Sequence, residues 1–138
     1  MLSGAIMKGS CLCKKIQYEC DELEGAIVNC HCHTCRKAHA APYAPTAGVK
    51  RENFRWLKGS EHLSSYASSP DKLRHFCSIC GSHLMAERPH QSHVIVRVAT
   101  LDESPSSAAI AHIWCSHDVP WLNENQDTPY YDEWQKSR

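Results

Sequence analysis

The chain has 138 residues, and its fifteen Lys and Arg residues balance fifteen Asp and Glu residues, so the formal net charge at pH 7 is zero. A chain of this length builds one hydrophobic core, and the sequence predicts a single domain over residues 1–138. The balanced charge argues against a nucleic-acid partner, and no segment is long and apolar enough to span a bilayer.

The cysteine content sets the first functional expectation. The first eight residues lack the apolar run of a secretory signal peptide, so we expect a cytoplasmic protein. Nine cysteines are many for a cytoplasmic chain of this size. A disulfide framework needs an oxidising compartment, and C-x-C and C-x-x-C spacings suit metal ligation better than mutual pairing. Metal binding is therefore favoured over disulfides.

The first cysteine motif is a C-x-C pair, Cys11 and Cys13, beside a predicted strand. Apolar and polar residues alternate from Ile16 to Cys20, which is typical of a half-buried strand. If the pair also has extended backbone, its two side chains share one face and can bind one ion together. Cys20 continues the apolar side of the alternation, and we expect it to be a buried core thiol.

The densest cysteine motif follows a short strand predicted over residues 26–28. It consists of Cys30, Cys32 and Cys35, which we call the cysteine trio. Zinc prefers thiolate and imidazole ligands, and three thiolates from one turn leave one tetrahedral position for a side chain, water or substrate. Residues 35–41 predict a short helix whose dipole favours an anionic ligand at the trio. A plain connecting turn is the alternative.

A second motif of metal-binding type follows two strands predicted over residues 54–59 and 62–67. Cys77 and Cys80 form a C-x-x-C-G zinc knuckle, in which Gly81 lets the chain fold back toward the sulfurs. A redox dithiol is the alternative. Such dithiols usually begin a helix, which the glycine disfavours, so the knuckle is preferred.

The last third of the chain predicts two further strands, over residues 93–99 and 109–115. The first is the clearest strand in the sequence and is expected to be central, and Cys115 in the second is interpreted as a core thiol. Residues 118–138 contain four large aromatic residues without periodicity and are expected to pack as an irregular cover. The strand count favours a mainly β domain with one or two short helices.

The seven cysteines in metal-like spacings can be grouped in two ways. One grouping joins the two zinc knuckles, residues 32 and 35 with residues 77 and 80, and leaves three cysteines without a role. The other uses all seven and is preferred: it joins the C-x-C pair to the second knuckle as a closed four-sulfur cluster and leaves the trio as a separate site. Its members are Cys11, Cys13, Cys77 and Cys80 in the four-sulfur cluster, and Cys30, Cys32 and Cys35 in the trio.

These motifs together resemble the glutathione-dependent formaldehyde-activating enzyme family, which includes a centromere-protein-V-like branch. The resemblance extends over residues 9–134 and also includes the C-terminal segments His112-Ile113-Trp114 and Pro120-Trp121. It rests on three ordered sets: Gly9-Ser10-Cys11-x-Cys13, Asn29-Cys30-His31-Cys32-x-x-Cys35-Arg36-Lys37 and Phe76-Cys77-x-x-Cys80-Gly81-Ser82.

The resemblance implies a zinc-binding β-tent fold of coiled antiparallel sheets. It also implies a structural zinc on the four-sulfur cluster and a second, labile and catalytic zinc on the trio. The implied activity is formation of S-(hydroxymethyl)glutathione from glutathione and formaldehyde, formally that of a carbon–sulfur lyase in the reverse direction.

The substrate hypothesis places a thiol such as glutathione on the open position of the trio, beside a small aldehyde. Glutathione carries two carboxylates and requires nearby cations. Arg36 and Lys37 are nearest in sequence, with Arg88 and Arg97 as further candidates, and a solvated basic face is the alternative for the first two.

Histidines near the trio have two possible roles. His31 and His33 are expected to orient ligands or to move protons. Alternatively, one of His31, His33 and His39 closes the trio, and both sites are then structural.

Two other classes of protein fit the same motifs. One is a non-catalytic binding module stabilised by two structural zinc ions, and the other is a metal buffer or redox sensor that acts through the trio. A homodimer is one of the assemblies that the sequence permits.

Overall fold

The computed structural model describes residues 6–122 and 127–135. In these ranges the chain forms ten strands and one α-helix, joined by turns that include four short 3₁₀ segments. In chain order the elements are β1 (Met7–Ser10), β2 (Gln17–Cys20), β3 (Glu24–Cys30), α1 (His33–His39), β4 (Ala44–Lys50), β5 (Phe54–Lys58), β6 (Leu63–Ser69), β7 (Lys72–Cys77), β8 (His83–Glu87), β9 (His93–Arg97) and β10 (Ala109–Ile113).

The strands form two sheets. The smaller sheet has the order β1-β2-β5, and the larger has the order β10-β3-β4-β9-β8-β7-β6. The mainly β prediction is confirmed, and β9 occupies the predicted central position of the larger sheet. Neighbouring strands are antiparallel except for β10, which runs parallel to β3. A late segment of the chain therefore lies against the strand that ends in the trio.

The main hydrophobic core draws side chains from both sheets. Cys20 comes from the smaller sheet, and Val94 and Val96 come from the larger one. Cys11 and Cys77 belong to the same core, so the four-sulfur cluster lies where the two sheets meet. The prediction that Cys20 is a buried thiol is confirmed, because none of its surface is accessible.

Four strands have no counterpart among the predicted ones: β1, β4, β7 and β8. β1, β4 and β8 contain Gly, Ala, Pro or Met where β-branched residues would give a clear signal. β4 is stabilised instead by pairing with β3 on one side and with β9 on the other. The helix predicted over residues 35–41 is present but begins two residues earlier, at His33.

Two cysteines lie in a different local structure from the one predicted. Cys11 and Cys13 are not on a strand, since β1 ends at Ser10 and the pair lies in the turn before β2. Cys115 is exposed in a 3₁₀ turn, so the prediction of a core thiol is wrong. It follows β10, an edge strand that is itself largely exposed and offers no core for the thiol.

The C-terminal segment has irregular backbone, as predicted, but it does not form a packed cover. Its aromatic side chains are more than half exposed in the described residues: Trp121, Tyr130, Tyr131 and Trp134. Residues 123–126 and 136–138 of the predicted cover lie outside the described residues. Among the described helices, none has the length and apolarity needed to cross a membrane.

Candidate metal centre

Two distant parts of the chain bring their sulfurs together in the four-sulfur cluster. The Sγ atoms of Cys11 and Cys13 are 3.6 Å apart, and those of Cys13 and Cys77 are 3.8 Å apart. A disulfide bond would be about 2.05 Å long, and all nine cysteines are free. Four sulfurs placed tetrahedrally at about 2.3 Å from one zinc ion lie about 3.8 Å from one another. The cluster therefore has the dimensions of a tetrahedral zinc site.

Backbone amides surround the sulfurs of this cluster. Cys77 Sγ accepts hydrogen bonds from the N–H groups of Ile79 and Cys80, each at 3.4 Å. The turn that directs them inward needs a left-handed residue, and Gly81 supplies it with φ of +83°. The Gly81 N–H in turn donates to the Cys77 carbonyl at 2.8 Å. The knuckle thus stabilises thiolate charge through the backbone.

The trio forms a second cluster, in which the three Sγ atoms lie within 4.8 Å of one another. Cys30 ends β3, while Cys35 lies in the first turn of α1. Cys32 caps the helix, and its Sγ accepts a hydrogen bond from the Cys35 N–H at 3.3 Å. Cys30 and Cys35 are buried, whereas Cys32 is half-buried. The trio is therefore accessible from its Cys32 side.

His31 braces the loop that carries the trio. Its Nδ1 lies 2.8 Å from Asp118 Oδ1, and its Nε2 lies 2.7 Å from His112 Nδ1. The hydrogen bond with His31 holds the pKa of Asp118 below its usual value, so the ionised carboxylate accepts from His31 Nδ1–H. In the neutral form of His31, its Nε2 accepts from His112 Nδ1–H. In the described part of the chain no histidine joins either sulfur cluster, so the alternative in which a histidine closes the trio has no support in the structure.

The other residues predicted from sequence neighbourhood face elsewhere. The Arg36 guanidinium donates to His33 Nδ1 at 3.3 Å, and the His33 N–H donates to His117 Nδ1 at the same distance. Lys37 lines a separate, largely apolar cavity beside Phe76. None of these contacts places Arg36, His33 or Lys37 against a sulfur of the trio.

Two buried arginines lie behind the trio instead. Arg74 is only 3% exposed, and its two terminal nitrogens are 3.9 and 4.0 Å from Cys35 Sγ. Its Nε donates to Ser68 Oγ at 2.9 Å. Arg97, one of the candidates from sequence, is 4% exposed, and its Nε and Nη2 have no hydrogen-bond partner in the described residues. Two positive charges are thus buried where anionic sulfur would neutralise them.

The free thiols of the trio do not share negative charge equally. Burial acts to raise the pKa of Cys35, but hydrogen bonding with Cys32 and the charges of the two arginines outweigh burial and lower it. Burial raises the pKa of Cys30 to about 12. One thiol therefore ionises at the expense of another, and a bound cation would allow all three to ionise. The donor set fits a metal such as zinc.

A cavity of about 300 Å³ opens beside the trio. Cys32 lines it, together with three cationic side chains from the β6–β7 hairpin and the end of β8: Lys72, Arg74 and Arg88. Arg88 was a candidate from sequence, whereas Lys72 and Arg74 were missed. The open side of the trio therefore faces a positively charged cavity.

The residues missed in the sequence lie far from the trio along the chain. Arg74 follows Cys35 by 39 positions and Asp118 follows His31 by 87. One signal was present, since Lys72 and Arg74 alternate on a strand that ends in a predicted metal ligand. Pairing partners such as Asp118 carry no local signal.

Comparisons with known proteins agree with this description. The sequence profile of a family described as glutathione-dependent formaldehyde-activating enzyme matches residues 6–117. A Halomonas elongata protein, provisionally named as a glutathione-dependent formaldehyde-activating enzyme, is 27% identical over 126 residues, which cover 85% of this chain and 80% of that protein. A crystal structure of a Rhodobacter sphaeroides protein matches with a TM-score of 0.63 and 24% identity, over 77% of this chain and 99% of that one. The last likeness shows the fold.

Proposed function

The chain belongs to the glutathione-dependent formaldehyde-activating enzyme family, and from this membership we propose that it adds a thiol, glutathione or a close analogue, to formaldehyde or a related small aldehyde. Such an enzyme is formally a carbon–sulfur lyase acting in reverse. One observation carries the proposal: the trio is open beside a cationic cavity, whereas the four-sulfur cluster is closed within the core.

The two clusters would hold zinc in different roles. Cys11, Cys13, Cys77 and Cys80 would hold a structural ion, and the trio would hold a catalytic one. When bound at the trio, zinc supplies a lowered pKa to a thiol in its fourth position, so that the thiol is a thiolate at neutral pH. Because thiolate ligands require reducing conditions, a cytoplasmic location is part of this proposal.

Arg74 and Arg97 set the charge that the trio can accept. Three thiolates on a dipositive ion carry one net negative charge, and an incoming thiolate raises this to two. Two buried guanidinium groups balance that total, and one of them lies 3.9 Å from Cys35 Sγ. The site is therefore suited to bind an anionic thiol as a fourth ligand. Without the two arginines, the negative charge on zinc and three thiolates would repel that ligand.

The chemical step requires only positioning and one proton transfer. The sulfur electron pair forms a carbon–sulfur bond with the aldehyde carbon, and the carbonyl π pair moves to oxygen. We assign the thiol proton to His112 Nε2. His112 lies on β10 next to Ile113, which pairs with Cys30 of the trio. In the neutral form of His31, Asp118 and His31 orient the His112 ring so that this nitrogen keeps its lone pair. The proton then passes from His112 to the product oxygen, and no oxidation or reduction occurs.

The test combines turnover with metal content. Consumption of ¹³C-formaldehyde in the presence of glutathione is followed by NMR, with and without the zinc-loaded protein. We expect acceleration by the protein and a change in the metal signal of native mass spectra on adding glutathione. Two zinc ions that do not respond to thiol, with no acceleration, would identify a structural zinc module instead.

A matched variant isolates the proton acceptor. His112→Gln should reduce turnover at least tenfold, since general acid–base groups contribute about 10²–10⁴-fold. Zinc content should stay unchanged, because His112 belongs to neither sulfur cluster. His90→Gln, a change to an exposed histidine that does not line the cavity beside the trio, is the comparison for surface effects. Equal turnover in the two variants would remove His112 from the mechanism.

A further inference from the structure

We propose that the cavity beside Cys32 is a carboxylate-binding site with Lys72 as its ion-pairing residue, so that the chain selects anionic thiols over uncharged ones. The inference rests on the proposed function only for the thiol that enters the trio. It adds a second point of attachment, at the opposite end of the same ligand.

The position of Lys72 follows from the β6–β7 hairpin. Lys72 and Arg74 are two residues apart on β7, so their side chains leave the same face of the strand. Both line the cavity that Cys32 also lines. Arg74 reaches Cys35 from this face, so Lys72 lies two residues farther from the trio along β7.

Of the three cations in the cavity, Lys72 alone is uncommitted. Arg74 is bonded to Ser68 and directed at Cys35. Arg88 forms an ion pair with Asp71, at 2.6 Å. No carboxylate within residues 6–122 and 127–135 forms an ion pair with Lys72. The cavity therefore contains an ammonium group that has no counter-ion among the described residues.

The surroundings of Lys72 favour an anionic ligand in the cavity. Burial, and then the positive charges of Arg74 and Arg97, lower the pKa of Lys72. A half-buried ammonium among other cations is an unfavourable arrangement that proteins keep chiefly at functional sites. A carboxylate in the cavity would stabilise the charged form of Lys72 and remove the repulsion.

The sum of the charges at the site also favours a ligand that carries a carboxylate. Zinc and three thiolates, taken with Arg74, Arg97 and Lys72, leave two positive charges. A thiolate that carries one carboxylate brings two negative charges and neutralises the site. A simple uncharged thiol, which contributes only its sulfur charge, would leave Lys72 unpaired.

The test measures ligand binding to the zinc-loaded protein by calorimetry, independently of turnover. The probes are glutathione, 3-mercaptopropionate, 2-mercaptoethanol and the diethyl ester of glutathione. In the wild type we expect the two anionic thiols to bind at least tenfold more tightly than 2-mercaptoethanol and the ester. In Lys72→Met we expect this preference to fall to within about threefold, because a charge-assisted hydrogen bond has been lost.

The control is Lys50→Met, which removes an exposed lysine outside the cavity and should keep the wild-type preference. Lys72→Arg keeps the charge and should retain most of the preference. Unchanged selectivity in Lys72→Met, or equal weakening of charged and uncharged thiols, would overturn the inference. So would a wild type that binds none of the anionic thiols.

The two proposals can fail separately. If anionic thiols bind through Lys72 but formaldehyde is not consumed faster, the proposed function fails and the carboxylate site stands. If turnover is accelerated equally for charged and uncharged thiols in wild type and Lys72→Met, the carboxylate site fails and the function stands.

Discussion

The two sulfur clusters of this chain are built from the same side chain but have different surroundings. The four-sulfur cluster belongs to the main hydrophobic core, and backbone amides at 3.4 Å donate to its sulfurs. Among the described residues, the trio shares a small buried hydrophobic group with Ala44. It is bordered by two buried guanidinium groups and by an open cavity.

If both clusters hold zinc as proposed, this difference shows how one protein can separate a permanent ion from an exchangeable one. Backbone dipoles supply enough stabilisation for a fixed set of four ligands, and nothing else needs to enter. Mobile ligands bring additional charge, and full cations such as Arg74 and Arg97 can balance it. Under the proposed function, the cationic surroundings, more than the number of cysteines, distinguish the trio as the catalytic site.

The largest effect is expected from Cys77→Ser in the four-sulfur cluster. Structural zinc binding contributes an apparent free energy of about 10–16 kcal/mol, comparable with the total stability of about 5–15 kcal/mol for a domain. The variant should therefore fail to fold, as seen by loss of a cooperative thermal transition. Cys115→Ser, at an exposed position, should change stability by less than about 0.5 kcal/mol. A folded Cys77→Ser protein would show that the core cluster is dispensable.

The next largest effect, from Cys32→Ser, distinguishes the role of the trio from that of the four-sulfur cluster. Cys32→Ser should remove one zinc ion and abolish turnover, while the far-ultraviolet circular dichroism spectrum remains native. The reason is that Cys32 caps a seven-residue helix and does not belong to the main core. Metal analysis and dichroism on the same sample provide the measurement. Loss of the fold would make the trio structural and remove the comparison.

A smaller effect should come from the charge behind the trio. Replacing a residue that hydrogen-bonds to a metal ligand typically costs about 10–100-fold in metal affinity, and we expect this of Arg74→Met. Competition with a chelator should show weakening of one zinc ion only. Arg55→Met, which breaks ion pairs with Glu19 and Asp21 on the smaller sheet, is the control. Equal weakening of both ions in Arg74→Met would mean that the arginine acts on the whole fold.

The smallest effect concerns Glu87, on β8 of the larger sheet. Burial alone would raise the pKa of Glu87, but hydrogen bonds with Arg51 and His75 outweigh it and hold the pKa below the usual value. A depressed carboxyl pKa stabilises the fold above the unfolded value of about 4.3 and loses this contribution as the pH falls through the folded pKa.

Glu87→Gln should therefore lower the free energy of unfolding at pH 7 by less than about 1 kcal/mol, since solvent screens the pair. The difference from wild type should shrink as the pH falls below the folded pKa. Chemical denaturation at several pH values measures this, with zinc content as the readout for the clusters. Loss of either zinc ion in Glu87→Gln would show that zinc binding by the sulfur clusters depends on ion pairs elsewhere in the sheet.

The sequence predicted what depends on local spacing. The C-x-x-C-G motif required a left-handed residue, and Gly81 has φ of +83°. The β-rich alternation placed β9 correctly at the centre of the larger sheet. The convergence of Cys11 and Cys13 was expected for the wrong reason, since they meet in a turn and not on a strand face.

The rest depended on tertiary pairing. β4 has weak strand propensity and exists because β3 and β9 flank it. Arg36 and Lys37 were selected because they are close in sequence, but the buried arginines beside the trio come from β7 and β9, strands in another part of the sheet. Cys115 has an apolar-looking context, yet its strand lies at the edge of the sheet, where no core is available.

The parallel pairing of β10 with β3 bears on how the protein is made. A ribosome synthesises Cys80, the last member of the four-sulfur cluster, before it reaches β10. Asp118, whose carboxylate holds His31 in place, follows His31 by 87 positions and is made later still. The nascent chain thus has every ligand for its first ion while the three thiols of the other site still lack their support. If both clusters bind zinc as proposed, metallation is expected to follow the direction of translation, with the trio completed last.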